Sequence, residues 1–175
     1  MKGTLIDNRV ILNNLELWEK SNFGKPFPEK NLDRLELDLI EAFYLLEKGE
    51  IEVYKDDKKL SKEEFLKYCN KKIKNFYMLY IVFKDLRDKG YTVKTGFKFG
   101  THFRVYEKGV KIKKGPKEPY EHTKYVLHVA KEEDVFSLPE MSRAVRLAQN
   151  IRAKMLWAVV DRENNVTYYE VISCA

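Results

Sequence analysis

Two residues in the C-terminal half of the chain have side chains suited to acid–base chemistry. Tyr106 ends the run 103–106, whose alternation predicts a β-strand, and His122 comes just before a second predicted strand over 124–130. If these strands pair as a long hairpin, both side chains meet at one edge of a sheet. A base for a 2′-hydroxyl, an acid for a leaving 5′-oxygen and a cation for the phosphorane suffice to cleave RNA without metal. The pair therefore has the residue types of an RNA-cleaving site.

Other interpretations of these residues stay open at the level of sequence. Tyr106 is one of 11 tyrosines and His122 one of three histidines, and a strand-end tyrosine is commonly a packed amphipathic residue. Tyr120 competes for the tyrosine role, because in an extended chain it points the same way as His122. A metal-dependent nuclease needs clustered carboxylates and a lysine. The string 57–59 has the form D-x-K, but it lies in a predicted turn of the N-terminal part.

The composition indicates a folded, basic protein. Lys and Arg exceed Asp and Glu by 33 − 27 = 6, which favours a polyanionic partner through counterion release, although a heat-adapted surface is equally consistent. The two cysteines, Cys69 and Cys174, form neither a disulfide framework nor a zinc site. No signal peptide or membrane-spanning apolar run is visible. We therefore expect a soluble, intracellular, cytoplasmic protein with no membrane partner.

The N-terminal part is predicted to contain short elements of both kinds. They are a hairpin over 5–12, a loop over 22–34, a helix over 39–46, a strand over 51–54 and a helix over 61–68. Gly24, Pro26 and Pro28 punctuate the loop. Ser61 and Glu64 have the spacing of a capping box, which predicts where the last helix begins.

The C-terminal part changes its hydrophobic period after Gly90. Its predicted elements are a helix over 73–89, strands over 91–94, 103–106 and 124–130, a helix over 140–154, and strands over 155–160 and 166–172. The strand over 155–160 is nearly all apolar and so predicted to be central. We predict an α+β fold with a small N-terminal α/β domain over 1–72 and a mixed-sheet domain over 73–175.

Several runs together resemble the archaeal tRNA-splicing endonuclease (tRNA-intron lyase) family. They are 39–45, 94–100, 103–106, 122–125, 143–152 and 156–161. The resemblance covers nearly the whole chain. It implies a catalytic subunit that cuts precursor tRNA at bulge-helix-bulge elements, leaves 2′,3′-cyclic phosphate and 5′-hydroxyl ends, and uses no metal or other cofactor. It also implies a restriction-endonuclease-like C-terminal domain.

The resemblance assigns roles to individual residues. Tyr106, rather than Tyr120, corresponds to the family's base, and His122 corresponds to its acid. The basic segment 110–120 between them is longer than expected for the family and has the character of an inserted loop. Arg146 corresponds to an arginine that clamps a flipped bulge base by stacking.

The chain departs from the family pattern at Ala153. The family's lysine directly follows an arginine, which Arg152 matches here, so Ala153 occupies the lysine position. Either a lysine was deliberately changed to alanine, or the chain naturally lacks it and Lys154 or Arg152 substitutes. If the predicted helix extends to Lys154, the Lys154 side chain is turned by about 100° from the direction of the side chain at position 153. Arg146 lies two helical turns before Ala153 and so shares its face. In either case we expect impaired cleavage.

A substrate with two cleavage sites implies an assembly with more than one active site. The resemblance implies four nuclease-like units joined through a short acidic loop, which Glu132, Glu133 and Asp134 match here, and through paired C-terminal strands. A terminal apolar strand needs a partner. We expect a homotetramer, with a heterotetramer containing a second subunit as the alternative. A noncatalytic structural subunit is the alternative function, but the presence of Tyr106 and His122 argues against it.

Overall fold

The computed structural model describes residues 1–29, 32–96, 100–113 and 116–174. The chain divides into two compact units, Met1–Tyr80 and Ile81–Ala175. This division falls inside a helix, whereas the sequence-predicted boundary lies between residues 72 and 73. The described helices all fall short of the length and apolar character that a membrane span requires.

The first unit is built on a mixed sheet. Its strands are β1 (Lys2–Ile6), β2 (Arg9–Leu12), β3 (Lys25–Glu29), β4 (Leu32–Asp38), β5 (Glu52–Lys55) and β6 (Lys58–Lys59), in the order β3-β4-β2-β1-β5-β6. Its helices are α1 (Glu16–Ser21), α2 (Leu39–Glu47) and α3 (Lys62–Lys72), and α4 (Phe76–Asp88) begins in this unit. β1 and β5 run parallel, and the other paired strands of this sheet are antiparallel.

Capping boxes fix the starts of α2 and α3. The Ser61 side chain accepts from the Glu64 N–H while the Glu64 carboxylate accepts from the Ser61 N–H, which confirms the predicted start of α3. Asp38 and Glu41 do the same at the start of α2. Behind these caps, Phe43 packs against other rings of this unit with centroids 4.7 to 6.2 Å apart, namely Phe65, Phe76 and Tyr80.

The predicted loop over 22–34 is wrong, because most of it forms β3 and the start of β4. Two prolines lie in β3, but β3 is the edge strand of its sheet, where a missing N–H donor is tolerated. The partner strand β4 buries Leu35 and Leu37 completely. Gly24 is needed just before β3, since its φ is 71° and an added Cβ would lie 2.8 Å from the Glu36 carbonyl oxygen.

The second unit is a mixed sheet crossed by one long helix, as predicted. Its strands are β7 (Thr92–Thr95), β8 (Phe103–Tyr106), β9 (Tyr125–Lys131), β10 (Lys154–Val160) and β11 (Val166–Val171), in the order β11-β10-β9-β8-β7. The helix α5 (Leu138–Asn150) connects β9 to β10, which pair in parallel, while the other neighbours are antiparallel. The two units together confirm the α+β class.

The two faces of this second sheet pack differently. The face that we call the α5 face buries Val126, Met155 and Trp157 against Val145 and Ala148 of α5. On the other face, which we call the α4 face, two contacts reach the C-terminal part of α4. They are the Phe83–Phe103 ring pair and a hydrogen bond from the Tyr168 hydroxyl to the Asp85 carboxylate at 2.6 Å.

The helix α5 ends earlier than the sequence predicts. It stops at Asn150, and Arg152 adopts a left-handed φ of 57°. The Ala153 N–H then donates to the Ala148 carbonyl at 2.9 Å, which closes the helix terminus, and Lys154 begins β10. The prediction of a helix through 154 is therefore wrong, because the chain has already turned into the sheet.

Candidate active site

Three chain segments that are distant in sequence meet at one end of the second sheet. The register pairs Tyr125 with both Val105 of β8 and Lys154 of β10. The Lys124 N–H donates to the Val105 carbonyl at 2.9 Å, and the Lys154 N–H donates to the Lys124 carbonyl at 2.9 Å. The end of β8 therefore lies beside the beginnings of β9 and β10. We call this the Tyr106 end.

Tyr106 closes β8 on the α5 face and is only 3% exposed. Arg104 pairs with Val126, whose side chain packs against α5, and side chains two residues apart on a strand share a face. The Arg104 Nη1 donates to the Tyr106 hydroxyl at 3.4 Å, and its Nε donates to the Thr95 carbonyl at 3.1 Å. The phenol oxygen is thus in contact with a guanidinium group.

Arg104 received no role from the sequence, although a usable signal was present. In the run 103–106, Arg104 stands two positions before Tyr106, and strand alternation alone predicts that the two side chains are neighbours. The cation of this contact comes from the same strand as the tyrosine, not from α5.

His122 is exposed at the same end of the sheet. It directly follows a 3₁₀ turn, Pro119–Glu121, and has an extended backbone with φ −79° and ψ 161°. Two residues later, Lys124 makes the backbone bond to Val105 described above. The short path from His122 to this bond brings the histidine to the Tyr106 end, on the solvent side.

Ala153 and Lys154 lie on opposite sides of the sheet. Ala153 is 8% exposed, and its N–H bond to Ala148 puts it on the side of α5 and Tyr106. Lys154 is the first residue of β10, and its Nζ lies 3.1 Å from Glu170 Oε1, on the α4 face. The predicted helical turn of about 100° is wrong for this pair, because successive strand residues point to opposite faces.

Arg146 is exposed near the C-terminal end of α5. The predicted helical alignment of Arg146 with position 153 is wrong, because α5 ends at Asn150 and residue 153 is not helical. Arg146 still belongs to the part of α5 that leads to the Tyr106 end, since β10 begins there.

The acidic loop follows β9 at the other end of the sheet. Glu132, Glu133 and Asp134 are all exposed. Asp134 Oδ2 accepts from the Lys131 N–H at 2.9 Å, and Glu132 lies 3.5 Å from the Arg162 guanidinium. The loop is therefore shaped by its own local bonds and presents its remaining carboxylate outward.

The two other histidines form a pair away from the Tyr106 end. His102 Nδ1 accepts from the Val129 N–H at 2.8 Å, and the rings of His102 and His128 have centroids 4.6 Å apart. Burial, helped by His128, lowers the pKa of His102 to about 4, and burial also lowers the pKa of His128. His128 further contacts the rings of Phe136 and Trp157. Both are packed, neutral side chains at neutral pH.

The D-x-K string over 57–59 covers the end of the β5–β6 turn and the strand β6 of the first unit. Its lysines make surface ion pairs there, Lys58 with Glu64 at 2.7 Å and Lys59 with Glu52. Both lysines are therefore explained as surface charges. Lys59 links β6 to β5, and Lys58 links β6 to α3.

Comparison with known proteins covers both units. Residues 76–168 match the family described as tRNA intron endonuclease, catalytic C-terminal domain, and residues 1–66 match its N-terminal domain. The tRNA-splicing endonuclease of Nanoarchaeum equitans is 48% identical over 140 residues, which are 80% of this chain and 90% of that protein. That of Methanothermobacter thermautotrophicus is 41% identical over 152 residues, 87% and 82% of the two chains. The chain belongs to the tRNA intron endonuclease family.

Proposed function

We propose that this chain is built to remove introns from precursor tRNA by cutting bulge-helix-bulge elements, leaving 2′,3′-cyclic phosphate and 5′-hydroxyl ends. The observation that carries the proposal is the convergence of Tyr106, His122 and position 153 at one end of a hydrogen-bonded sheet. Membership of the tRNA intron endonuclease family and the names of its relatives support the substrate class.

In this reaction Tyr106 and His122 handle the two protons. Tyr106, in its phenolate form, accepts the proton of the 2′-hydroxyl as that oxygen bonds to phosphorus. His122 gives a proton to the 5′-oxygen as its bond to phosphorus breaks, so that a cyclic phosphate and a free hydroxyl result. The two residues come from different segments, the end of β8 and the residues that precede β9, which suits groups that act on the attacking and leaving oxygens.

Position 153 is where a cation would stabilise the charged phosphorane. It lies on the side of the sheet that carries Tyr106, whereas Lys154 points to the other face and pairs with Glu170. An alanine there supplies no charge, so the chain as given is expected to bind its substrate and cleave it slowly. Ala153 also favours the alternative of a noncatalytic subunit, but such a subunit has no need of Tyr106 and His122.

The decisive experiment restores the cation. Ala153→Lys should raise the single-turnover rate on a bulge-helix-bulge RNA by about 10² to 10³, by analogy with a lost oxyanion donor. Because many other cations hold the RNA backbone, the Kd should change only a few-fold. An Ala153→Met variant of similar length controls for side-chain bulk. No gain in rate with lysine would contradict the proposed role of position 153.

The same variant tests whether the reaction needs a metal ion. The proposed mechanism uses protein groups for both proton transfers and for the charge, so Ala153→Lys protein should cut fully in the presence of a chelator. Loss of cleavage with chelator that magnesium restores would overturn the mechanism.

We further propose a homotetramer that docks through Glu132, Glu133 and Asp134 and through β11, whose Tyr169, together with Ile172 just beyond it, is exposed. Light scattering should report a mass near four chains. Replacing the three acidic residues with alanine should lower that mass, while Glu63→Ala, an exposed acidic residue of α3, should not. A single chain that cuts both sites would refute the assembly, and tetramers that form only with a second protein would favour the heterotetramer.

A further inference from the structure

Tyr120 is an aromatic side chain held out into solvent. It is 65% exposed and occupies the middle of the 3₁₀ turn Pro119–Glu121, two residues before His122. A large ring left in water loses the free energy that burial would provide. The exposed ring, two residues from the candidate acid, is therefore available to a ligand that covers it.

The turn that carries Tyr120 is tied down on both sides. The Glu121 N–H donates to the Glu118 carbonyl at 2.9 Å, and the Glu118 N–H donates to Glu121 Oε2 at 2.7 Å. Lys113 Nζ lies 2.8 Å from Glu121 Oε1, and the Glu121 side chain is only 11% exposed. The hydrogen bond from Lys113 lowers the pKa of Glu121. Tyr120 is thus presented by a fixed turn, so little conformational entropy is lost when its ring is covered.

The segment of sequence that leads to Tyr120 is basic. Five lysines occur between 108 and 117, against the three glutamates 107, 118 and 121. Glu121 pairs with Lys113, and Glu107 pairs with Lys124, which lies outside the segment. Setting Lys113 aside with these two glutamates leaves four lysines of the segment against Glu118. An aromatic ring within a basic loop is the combination that binds unpaired RNA.

We propose that Tyr120 is a stacking platform for an unpaired nucleobase next to the phosphate that His122 serves. This deepens the proposed function and rests on it. The ligand class is a single-stranded base of any identity, because every base has a π-face. The phenol hydroxyl is not required for stacking, so Tyr120 acts in RNA binding and not as the base of the reaction, the role assigned to Tyr106.

The test uses the chain as given, which under the proposed function binds its substrate and cleaves it slowly. The probe is a bulge-helix-bulge RNA with 2-aminopurine at one bulge position at a time, since stacking on a ring quenches this base. Tyr120→Ala should weaken the Kd by about 5- to 150-fold, the range for one lost base–aromatic stack, and should restore fluorescence at one position. Tyr120→Phe and Tyr120→Trp should keep the Kd within about threefold of the parent chain.

Two control variants separate stacking from charge and from general loss of aromatic surface. Lys111→Ala, in the same loop, should weaken binding at all RNA sequences and reduce the salt slope by about one, whereas Tyr120→Ala should leave the slope unchanged. Tyr77→Ala removes an exposed ring of the first unit and should leave RNA affinity unchanged.

Three outcomes would overturn the inference. The first is that Tyr120→Ala binds as tightly as the parent. The second is that Tyr120→Phe loses as much affinity as Tyr120→Ala, which would assign the role to the hydroxyl. The third is that Tyr120→Ala changes the mass of the assembly and not RNA affinity, which would make the ring a protein contact. The proposed function fails separately, if Ala153→Lys with Tyr120 intact does not cut the RNA.

Discussion

Histidines at the two ends of the second sheet differ in their exposure to solvent. At the Tyr106 end, His122 stands in solvent after a tied 3₁₀ turn. Towards the other end, His102 accepts a backbone N–H through Nδ1, and burial lowers its pKa to about 4. His128 lies beside it and contacts the rings of Phe136 and Trp157. The same side chain is therefore placed for proton transfer to a ligand in one region and for packing in the other.

This difference shows that residue type alone does not identify a site. All three histidines lie in or next to β8 and β9, so their positions in sequence do not separate them. What separates them is access, because a general acid must reach within hydrogen-bond distance of its substrate oxygen. Only His122 among them is exposed.

The largest effect should come from removing the exposed histidine. In the Ala153→Lys protein, His122→Ala should lower the single-turnover rate by about 10² to 10⁴, the usual contribution of a general acid, with little change in Kd. His128→Asn is the control and should lower the rate by less than about tenfold, since it acts only through packing. Equal losses in the two variants would remove the distinction between the ends of the sheet.

A smaller loss is expected when Tyr106 loses its neighbour. Arg104→Gln removes the guanidinium bonds to the Tyr106 hydroxyl and the Thr95 carbonyl. Misplacing a reacting group costs up to about 10² in rate, so we expect a fall of about 10- to 100-fold in the Ala153→Lys protein. Arg9→Gln, which removes an exposed ion pair with Glu36 in the first unit, should have no effect. A change in Kd without a change in rate would assign Arg104 to RNA binding instead.

We expect the partly buried His102 to affect the free energy of unfolding and not the cleavage rate. The pKa of His102 is about 4 in the folded chain against an ordinary 6.5, so the unfolded chain binds more protons between these values. Its contribution is therefore complete above about pH 6.5 and is lost as the pH falls towards 4. The slope is at most about 1.4 kcal/mol per pH unit, and solvent screening of the partly exposed ring reduces it.

Denaturant unfolding of the chain and of His102→Asn between pH 4.5 and 7 measures this contribution. Asparagine can still accept the Val129 N–H, so the variant should fold. The stability gap between the two proteins should shrink as the pH falls. A gap that is independent of pH would mean that His102 does not titrate as its burial implies.

The smallest effect is expected at Lys154. Lys154→Ala removes a solvent-exposed ion pair with Glu170, which is worth about 0 to 1 kcal/mol of stability. Because Lys154 lies on the α4 face, the cleavage rate should change by less than about twofold, a difference that corresponds to less than 0.5 kcal/mol. If this variant instead abolishes cleavage by the chain as given, Lys154 is the catalytic cation and the assignment of position 153 is in error.

Sequence patterns predicted the elements whose signals are local. The capping box of Ser61 and Glu64 marked the start of α3, and alternation marked β8. The sequence signals gave the wrong secondary structure where a residue's conformation depends on its neighbours in space. Pro26 and Pro28 read as loop residues, yet an edge strand accommodates them because their missing N–H groups face no partner.

The end of α5 shows the same limit at the candidate site. Arg152 takes a left-handed conformation without being glycine or asparagine, the residues that usually mark such a position. The helical periodicity therefore predicted a helix that extends to Lys154. The predicted direction of the Lys154 side chain was therefore wrong, although the position of Ala153 in the family pattern does not depend on where the helix ends. Strand alternation alone predicts that Arg104 lies beside Tyr106. Only the pairing of β8 with β9 shows that both side chains are on the α5 face.

The parallel pairing of β9 with β10 has a consequence for how this molecule can vary. Tyr106 and position 153 are held at a fixed spacing by backbone bonds through Lys124, and none of these bonds passes through the turn that carries Tyr120. The part of the segment that precedes the Pro119–Glu121 turn can therefore change in length or composition while the spacing of Tyr106 and position 153 stays constant, whereas the turn itself is constrained because His122 directly follows it. Variation in the part of the loop before that turn can then alter contacts with RNA without moving Tyr106 or position 153.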